Sequence, residues 1–224
     1  MSLRNRMNAH RAKLYAAAQD LKDPASRRQG RFYTNFYDHG ILRSFWTNFF
    51  EIAPGVFRSN QPDAKRIESW AKRGIKTVIN LRGKSDNPPY LFEAEACAKT
   101  DLHLIDLKDL SARSAPPQAA LLALVDTLRE APKPFVFHCK SGADRTSLAA
   151  AIYLLVECGA PLSVARKQFS PRYIHFKWTQ SGVLDHILDL YEEEAAVHGI
   201  SFETWLRNDY DAEKVQSSFD RGRK

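Results

Sequence analysis

Hydrophobic and polar positions follow two alternating patterns from about residue 55 onwards. Short apolar runs rich in β-branched residues predict strands, and longer segments with apolar residues three or four positions apart predict helices. The predicted strands are 56–59, 76–81, 102–107 and 134–138. The predicted helices are 62–74, 90–99, 117–131 and 146–159.

This alternation predicts an α/β fold. Strands that alternate with crossover helices form a mostly parallel central sheet flanked by helices on both faces. In such sheets ligands bind beyond the carboxyl ends of the strands. The loop 138–146 follows one predicted strand and leads into a predicted helix, so it occupies that place.

The length and composition fit one folded domain with additional segments at both ends. The chain has 224 residues, and 44% of them are hydrophobic, which is enough to bury a full core. We predict a basic N-terminal extension at 1–40, a main domain at 41–200, and a charged C-terminal helix or tail at 201–224. The sequence carries no signal for an oligomeric state.

Two features predict a cytoplasmic protein. No apolar run approaches the roughly 18 residues of a membrane span, and the N-terminus lacks the apolar centre of a secretory signal. Cys97, Cys139 and Cys158 are widely spaced and odd in number, so they indicate neither a disulfide framework nor a zinc site. A reducing compartment is therefore expected.

The positive charge is concentrated at the N-terminus. Residues 1–31 contain eight Lys and Arg and two Asp, and so carry six of the seven net positive charges. Apolar residues recur in this arm at roughly helical spacing: Leu3, Met7, Leu14 and Ala18. Two interpretations stay open, a solvated basic helix packed on the domain or peripheral contact with an anionic membrane. We predict no nucleic-acid binding, because no groove-reading or stacking motif occurs.

The loop HCKSGADRT, residues 138–146, combines features that favour an anion. A loop between a strand and a helix presents several backbone N–H groups, and the positive end of the helix dipole adds to them. Ser141, Gly142 and Ala143 are small enough for the backbone to curl around a phosphate-sized group. Arg145 adds a planar guanidinium that can bind two phosphate oxygens.

Cys139 lies at the start of this loop, and we expect its thiol pKa to be low. Thiols beside helix N-termini and arginine titrate at roughly 3.5 to 7.5 instead of near 8.5. Cys139 would therefore be a nucleophile at neutral pH. Each residue also has a structural interpretation: a small buried cysteine, a core His138, or an Arg145 in a salt bridge. Their combination in one loop favours catalysis.

At these residues the sequence resembles the cysteine-dependent tyrosine and dual-specificity phosphatases, whose signature is HCxxGxxR[ST]. The positions that match the signature are His138, Cys139, Gly142, Arg145 and Thr146. Five residues separate the cysteine from the arginine, whereas rhodanese-type sulfurtransferases usually carry a shorter loop. The resemblance covers roughly residues 55–195, including GVFRSNQP, TVINLR and FSPRYIHF, which look like bacterial members of the family.

The resemblance implies a phosphomonoester hydrolase. Cys139 would attack phosphorus and form a phosphocysteine intermediate, while Arg145 and the loop N–H groups from Lys140 onwards hold the phosphate oxygens. It also implies that Thr146 hydrogen-bonds the sulfur, that His138 orients the loop from behind, and that no metal or other cofactor is needed. A non-catalytic phosphate-binding module stays an alternative, although such modules usually lose the cysteine or the arginine.

The acid that protonates the leaving oxygen could come from either of two parts of the chain. Many family members place it on a separate, earlier loop, which here selects Asp106 or Asp109. The loop itself contains Asp144, as in the CxxGxDRT form of myotubularin-like lipid phosphatases and one group of bacterial phosphatases. A bound phosphate would raise the pKa of Asp144 and keep it protonated as a donor, so we expect Asp144 to be the acid. The structural alternatives are helix capping and a salt bridge to Arg145.

The substrate class is less restricted than the reaction. Lys140 follows the cysteine as in phosphoinositide phosphatases with an HCK signature, but the second basic position of those loops is Ala143 here. We expect phosphotyrosine or dual-specificity protein substrates, with phosphorylated lipids or sugars as the alternative. Cations in predicted rim loops are candidates for substrate contact or for solvated charge: Arg58, Arg82, Lys84, Lys108 and Arg113. Arg82 is the best placed, because it lies just past a predicted strand's carboxyl end.

Overall fold

The computed structural model describes residues 3–223, with side chains from residue 5 onwards. Within this range the chain forms five strands joined in one sheet, in the order β1-β2-β5-β3-β4. The strands are β1 Phe50–Ala53, β2 Val56–Asn60, β3 Thr77–Asn80, β4 His103–Asp106 and β5 Phe135–Cys139. β1 is antiparallel to β2, and the remaining pairings are parallel. The predicted α/β fold with a mostly parallel sheet is confirmed.

The described residues form eleven α-helices. In chain order they are α1 Leu3–Ala17, α2 Pro24–Phe32, α3 Gly40–Phe45, α4 Ala64–Lys72, α5 Pro88–Thr100, α6 Gln118–Glu130, α7 Asp144–Val156, α8 Leu162–Ala165, α9 Val183–Glu194, α10 Phe202–Asn208 and α11 Ala212–Gly222. The strands and helices predicted between 56 and 159 are confirmed, and their ends differ by at most three residues. β1 lies outside the predicted elements, because it is a half-exposed edge strand without regular alternation.

The sheet is covered on both faces because successive strand side chains point to opposite sides. Val78 and Val136 pack on one face with residues of α4 and α5. Ile79 and Phe137, the next positions along the same strands, pack on the other face with residues of α6, α7 and α9. β5 lies at the centre of the sheet, between β2 and β3, so the loop after Cys139 is supported from both sides.

The N-terminal segment lies against α5. Arg27 of α2 pairs with Glu95 of α5 at 2.8 Å, and its guanidinium lies 5.3 Å from the centre of the Phe92 ring. Of the predicted apolar stripe, Met7 is 54% exposed and Ala18 is buried, with Leu14 between them in exposure. The side chains of Leu3 and Arg4, which belong to the predicted stripe and basic arm, lie outside the described residues. No described helix meets the length and apolarity of a membrane span.

The C-terminal segment contributes to the main core. Five of its side chains are buried there: Phe202, Trp205, Leu206, Tyr210 and Val215. The Trp205 indole also donates a hydrogen bond to Glu194 of α9 at 3.0 Å. The segment predicted as a charged helix or tail thus consists of two helices that pack on the domain, while the domain boundaries stay a prediction.

Replacing Trp205 tests this role of the C-terminal helices. Trp205→Ala removes a side chain that is 1% exposed, and we expect the free energy of unfolding to fall by about 3 to 5 kcal/mol. Trp178→Ala is the matched control, because that tryptophan is 74% exposed and its loss should cost less than about 1 kcal/mol. Urea unfolding followed by circular dichroism measures both. Equal effects would show that α10 is not part of the cooperative core.

Candidate active site

The loop 138–146 is shaped by side chains that bind its carbonyl groups. Arg58 Nη2 donates to the Gly142 carbonyl at 2.8 Å, and Asn48 Nδ2 donates to the Gly142 and Ser141 carbonyls at 2.9 and 3.2 Å. In a trans peptide the N–H points opposite to the carbonyl. The N–H groups of Gly142 and Ala143 therefore point away from Arg58 and Asn48, as an anion-binding loop requires.

Gly142 is the position where this shape requires glycine. Its φ of +71° lies in the left-handed region, and an added Cβ would lie 2.8 Å from both the Asn60 nitrogen and the Ser59 carbonyl oxygen. A larger residue would therefore push the loop away from β2. Asn60 pairs with Cys139 in the sheet, so such a displacement would reach the cysteine directly.

Cys139 is 3% exposed, and its surroundings favour the thiolate. Burial raises the pKa of this thiol, but the positive charge of Arg145 and the nearby hydroxyl and backbone N–H of Thr146 outweigh burial and lower it. The charge of Asp144 acts in the opposite direction. Among the described residues no group of three or more His, Cys, Asp or Glu is arranged to hold a metal ion.

Arg145 is held at one side and has a free donor at the other. Its Nη1 donates to the carbonyls of Leu81 at 3.1 Å and Leu110 at 3.4 Å. These contacts tie the guanidinium to the loops that follow β3 and β4. Its Nε is buried and has no hydrogen-bond partner among the described residues. That N–H is available to a phosphate oxygen.

His138 lies behind the loop, inside the protein. Its side chain is fully buried, with Nε2 at 2.5 Å from Glu93 Oε1 and Nδ1 at 3.2 Å from the Cys139 carbonyl. The other oxygen of Glu93 accepts a hydrogen bond from Gln61. Gln61 in turn donates its backbone N–H to the Lys140 carbonyl at 3.2 Å. These contacts link the start of the loop to α5 and to the end of β2.

Asp144, the first residue of α7, contacts a buried histidine. Its Oδ1 lies 2.8 Å from His175 Nδ1, and His175 Nε2 lies 2.6 Å from Asp185 Oδ2. No side-chain cap is present at the start of α7, so the contact with His175 replaces both structural alternatives considered for Asp144. Burial lowers the pKa of His175, but the hydrogen bonds with Asp144 and Asp185 outweigh it and raise the pKa to about 9.

Asp38, which lies between α2 and α3, binds the two cations that flank the loop. Its carboxylate lies 3.3 Å from Lys140 Nζ and 3.2 Å from both terminal nitrogens of Arg82. A third cation, Arg43, lies 2.8 Å away. Burial raises the pKa of Asp38, but the charges of Arg82, Arg43 and Lys140 outweigh it and lower the pKa. Lys140 and Arg82 thus already have a carboxylate partner.

The two acids of the earlier loop differ in their surroundings. Both oxygens of Asp106 accept hydrogen bonds within the fold, from Asn80 at 2.8 Å and from the Tyr90 hydroxyl at 2.7 Å. Asp109 is exposed and has a left-handed φ of 63°. It precedes Leu110, whose carbonyl contacts the guanidinium of the loop. Asp109 therefore lies near the loop, while Asp106 is held by contacts within the fold.

The other rim candidates fall in different places. The rim position predicted for Arg58 is wrong: this residue is fully buried in β2, because its guanidinium binds the loop from inside. Lys84 and Lys108 are exposed. Arg113 and Asp144 both line an open cleft of about 470 Å³, together with residues of the segment 174–181.

Five residues of the site were missed by sequence reasoning: Asp38, Asn48, Glu93, His175 and Asp185. Each reaches the loop region across the fold, as Asn48 reaches Gly142 across 94 positions and His175 reaches Asp144 across 31. Spacing along the chain therefore carries no signal for them. The one available signal is the block FSPRYIHF, which contains His175.

Known proteins are similar to the central part of the chain. Residues 53–160 match a family model described as "Polymorphic toxin system, DSP-PTPase phosphatase". The dual specificity protein phosphatase TpbA of Pseudomonas aeruginosa is 28% identical over 114 residues, which are 50% of this chain and 48% of TpbA. The chain thus spans about half the length of this relative.

Solved structures share the fold. The core catalytic domain of the PP-IP phosphatase SIW14 from S. cerevisiae, in complex with citrate, has a TM-score of 0.50 at 17% identity, covering 65% of this chain and 91% of that one. A second structure of the Siw14 catalytic core has a TM-score of 0.52 at 15% identity, covering 68% and 89%. Residues 53–160, which include the signature between β5 and α7, are thus similar to the DSP-PTPase phosphatase family, and the two solved structures share the fold of this part of the chain.

Proposed function

We propose that the chain hydrolyses phosphomonoesters through a phosphocysteine intermediate on Cys139. The observation that carries the proposal is a buried thiol whose pKa is lowered, beside an arginine with an unpartnered N–H. In the first step the sulfur bonds to phosphorus and the bond from phosphorus to the leaving oxygen breaks. In the second step water attacks phosphorus, the phosphorus–sulfur bond breaks, and phosphate leaves.

In this proposal two groups of donors stabilise the phosphoryl group, and a third acts on the sulfur. The N–H groups of Gly142 and Ala143 and the free Nε of Arg145 hold the non-bridging oxygens as charge moves to the leaving group. The Thr146 hydroxyl hydrogen-bonds the sulfur, which makes the thiolate a better leaving group in the second step. Arg58 and Asn48 keep the loop in this shape before substrate arrives, so little reorganisation is needed.

Asp144 is the proposed proton donor. Asp144 enters the first step in its protonated form and gives that proton to the leaving oxygen; the carboxylate left behind then takes a proton from the attacking water in the second step. His175 and Asp185 are positioning residues, because the hydrogen bonds through the imidazole fix the Asp144 carboxylate at the mouth of the loop. Asp109, which lies on the earlier loop, is the alternative donor.

Phosphorylated proteins are the proposed substrates. The cations that would meet a second phosphate, Lys140 and Arg82, are neutralised by Asp38, so the site favours a substrate with a single phosphoryl group. The cleft beside Asp144 is open enough for a side chain that carries its phosphate away from a protein surface. The name of TpbA, a dual specificity protein phosphatase, points to the same class. A screen of phosphopeptides, phosphoinositides and phosphosugars tests it, and turnover confined to the last two would contradict it.

Cys139→Ser tests the covalent mechanism. A serine hydroxyl is not ionised at neutral pH, so we expect hydrolysis of para-nitrophenyl phosphate to be abolished, while binding of tungstate changes less than about threefold because backbone groups and Arg145 form the site. Calorimetric titration measures the binding. The chelator EDTA should not change wild-type turnover. Residual turnover in the serine variant, or loss of activity on chelation that a divalent ion restores, would overturn the mechanism.

Asp144→Asn tests the proton donor, with Asp109→Asn as the matched comparison. Removing a general acid costs about 10²- to 10⁴-fold, and the loss is largest for leaving groups that need protonation. We expect Asp144→Asn to impair hydrolysis of an alkyl phosphate much more than hydrolysis of an activated aryl phosphate, and to flatten the basic limb of the pH profile of kcat. Asp109→Asn should do neither. If the two variants exchange behaviour, the acid lies on the earlier loop.

The raised pKa of His175 predicts a pH-dependent stability. Its pKa rises from 6.5 to about 9 on folding. The contribution of protonated His175 to the free energy of unfolding is therefore complete below pH 6.5 and is lost as the pH rises through 9. The difference in the free energy of unfolding between wild type and His175→Gln should shrink by on the order of 2 kcal/mol between pH 6 and pH 10. The control is His198→Gln at an exposed histidine, which should give a constant difference. Urea unfolding at each pH gives the free energy of unfolding. If this free energy changes with pH in the same way in wild type and in His175→Gln, the buried ion pair is contradicted.

A further inference from the structure

A second cavity lies between the N-terminal helices and the phosphatase domain. Its volume is about 430 Å³, and its walls come from α2, α3, the start of α4 and the start of α5. No residue of the loop 138–146 lines it. Five cations and one carboxylate do: Arg27, Arg31, Arg43, Lys65, Arg66 and Asp63.

The charges of this cavity are only partly balanced within the protein. Arg27 is paired with Glu95, and Arg43 is paired with Asp38. Arg31, Lys65 and Arg66 have no carboxylate within 4.0 Å among the described residues. The carboxylate of Asp63 caps α4 by accepting the Arg66 backbone N–H at 2.9 Å. The cavity therefore has an excess of positive charge.

Arg66 shows the imbalance most clearly. Its guanidinium donates to Asn60 Oδ1 and to the Gln61 carbonyl, both at 2.6 Å, and burial lowers its pKa to about 10. Arg66 is half-buried and its hydrogen-bond partners are neutral, so its charge is only partly compensated, and a bound anion would offset the cost of burying it. Neutral hydrogen-bond partners hold the guanidinium in place for such an anion.

Two further donors at the cavity have no partner. Arg43 is 8% exposed, and its Nε has no hydrogen-bond partner among the described residues. The Thr34 hydroxyl is also buried without one. Buried polar groups in folded proteins are nearly always hydrogen-bonded, so these two indicate an acceptor that belongs in the cavity.

We propose that this cavity binds a small phosphorylated molecule, at a site separate from the loop 138–146. Guanidinium groups match the geometry of phosphate oxygens, and several unbalanced cations favour a diphosphate or bisphosphate over a carboxylate. The volume exceeds what one inorganic phosphate needs. The same chemistry occurs in soluble phosphorylated metabolites and in lipid headgroups. A lipid would also meet apolar side chains on α3, where Leu42 is 64% and Phe45 is 89% exposed.

Binding of inorganic pyrophosphate tests the site. The titrations use the full chain with Arg145→Met, which weakens anion binding at the loop and makes the result independent of catalysis. We expect one remaining site. Lys65→Glu, at an exposed position that lines the cavity, should weaken it at least tenfold, and Lys72→Glu on the same helix, outside the cavity, should change it less than about twofold. No binding, or equal effects of the two substitutions, would overturn the proposal.

Arg66→Met, at a half-buried position that lines the cavity, should also weaken pyrophosphate binding, whereas the control Arg73→Met should not. Thermal unfolding shows whether each variant is folded. Vesicles of phosphatidylcholine with and without phosphatidic acid then distinguish the two sources. If the ligand is a lipid, the protein should bind the acidic vesicles, and pyrophosphate should compete with them. Lys65→Glu and Phe45→Ser should both weaken vesicle binding, while Phe45→Ser should leave pyrophosphate binding unchanged. A soluble source predicts pyrophosphate binding alone. Vesicle binding that is insensitive to Lys65→Glu, without pyrophosphate binding, would overturn the proposal.

Discussion

The buried guanidinium of Arg58 is the interaction on which the shape of the site depends. It joins β2 to the loop through Gly142, to α7 through Ser147 at 3.0 Å, and to the following segment through Gln168 at 2.6 Å. The guanidinium carbon Cζ of Arg58 lies 3.7 Å from the centre of the Tyr173 ring. Burial lowers its pKa to about 10, so it still carries its charge at neutral pH. The same group that fixes the backbone therefore also adds to the positive field around the cysteine.

Such an arrangement is costly without many compensating contacts. No carboxylate within 4.0 Å pairs with Arg58 among the described residues, and its charge is balanced by carbonyl oxygens, a hydroxyl and an aromatic face. A carboxylate there would have cancelled the field that the thiolate needs. Arg58 is thus held by neutral dipoles, and under the proposed function the full negative charge at the loop would come from the thiolate and the bound phosphate.

Local sequence patterns were sufficient for the four parallel strands of the sheet and for the loop itself, but not for the antiparallel edge strand β1. Strand β5 and helix α7 are recognisable because a buried strand is a short β-branched or aromatic run and because the signature begins where that run ends. The positions of Arg58 and Asp144 show where this reasoning stops. The sequence places Arg58 in a strand next to polar residues, which resembles a rim position, and only the packing of β2 against the loop shows that the side chain points inward. The partner of Asp144 could not be inferred, because His175 comes from a later segment that approaches the loop only in the folded chain.

Asp38 makes the N-terminal segment part of the charge environment of the loop 138–146, although that segment lies outside the sheet. Lys140 and Arg82 belong to the part of the chain that forms the sheet, but the carboxylate that balances them comes from the preceding segment. A shortened chain that begins at β1 would keep both cations and lose their counter-ion. Such a fragment would present a more basic rim beside the loop 138–146 and would attract polyanions more strongly than the 224-residue chain does. Anion selectivity measured on an excised core would therefore describe a different electrostatic site from the one that the N-terminal helices complete.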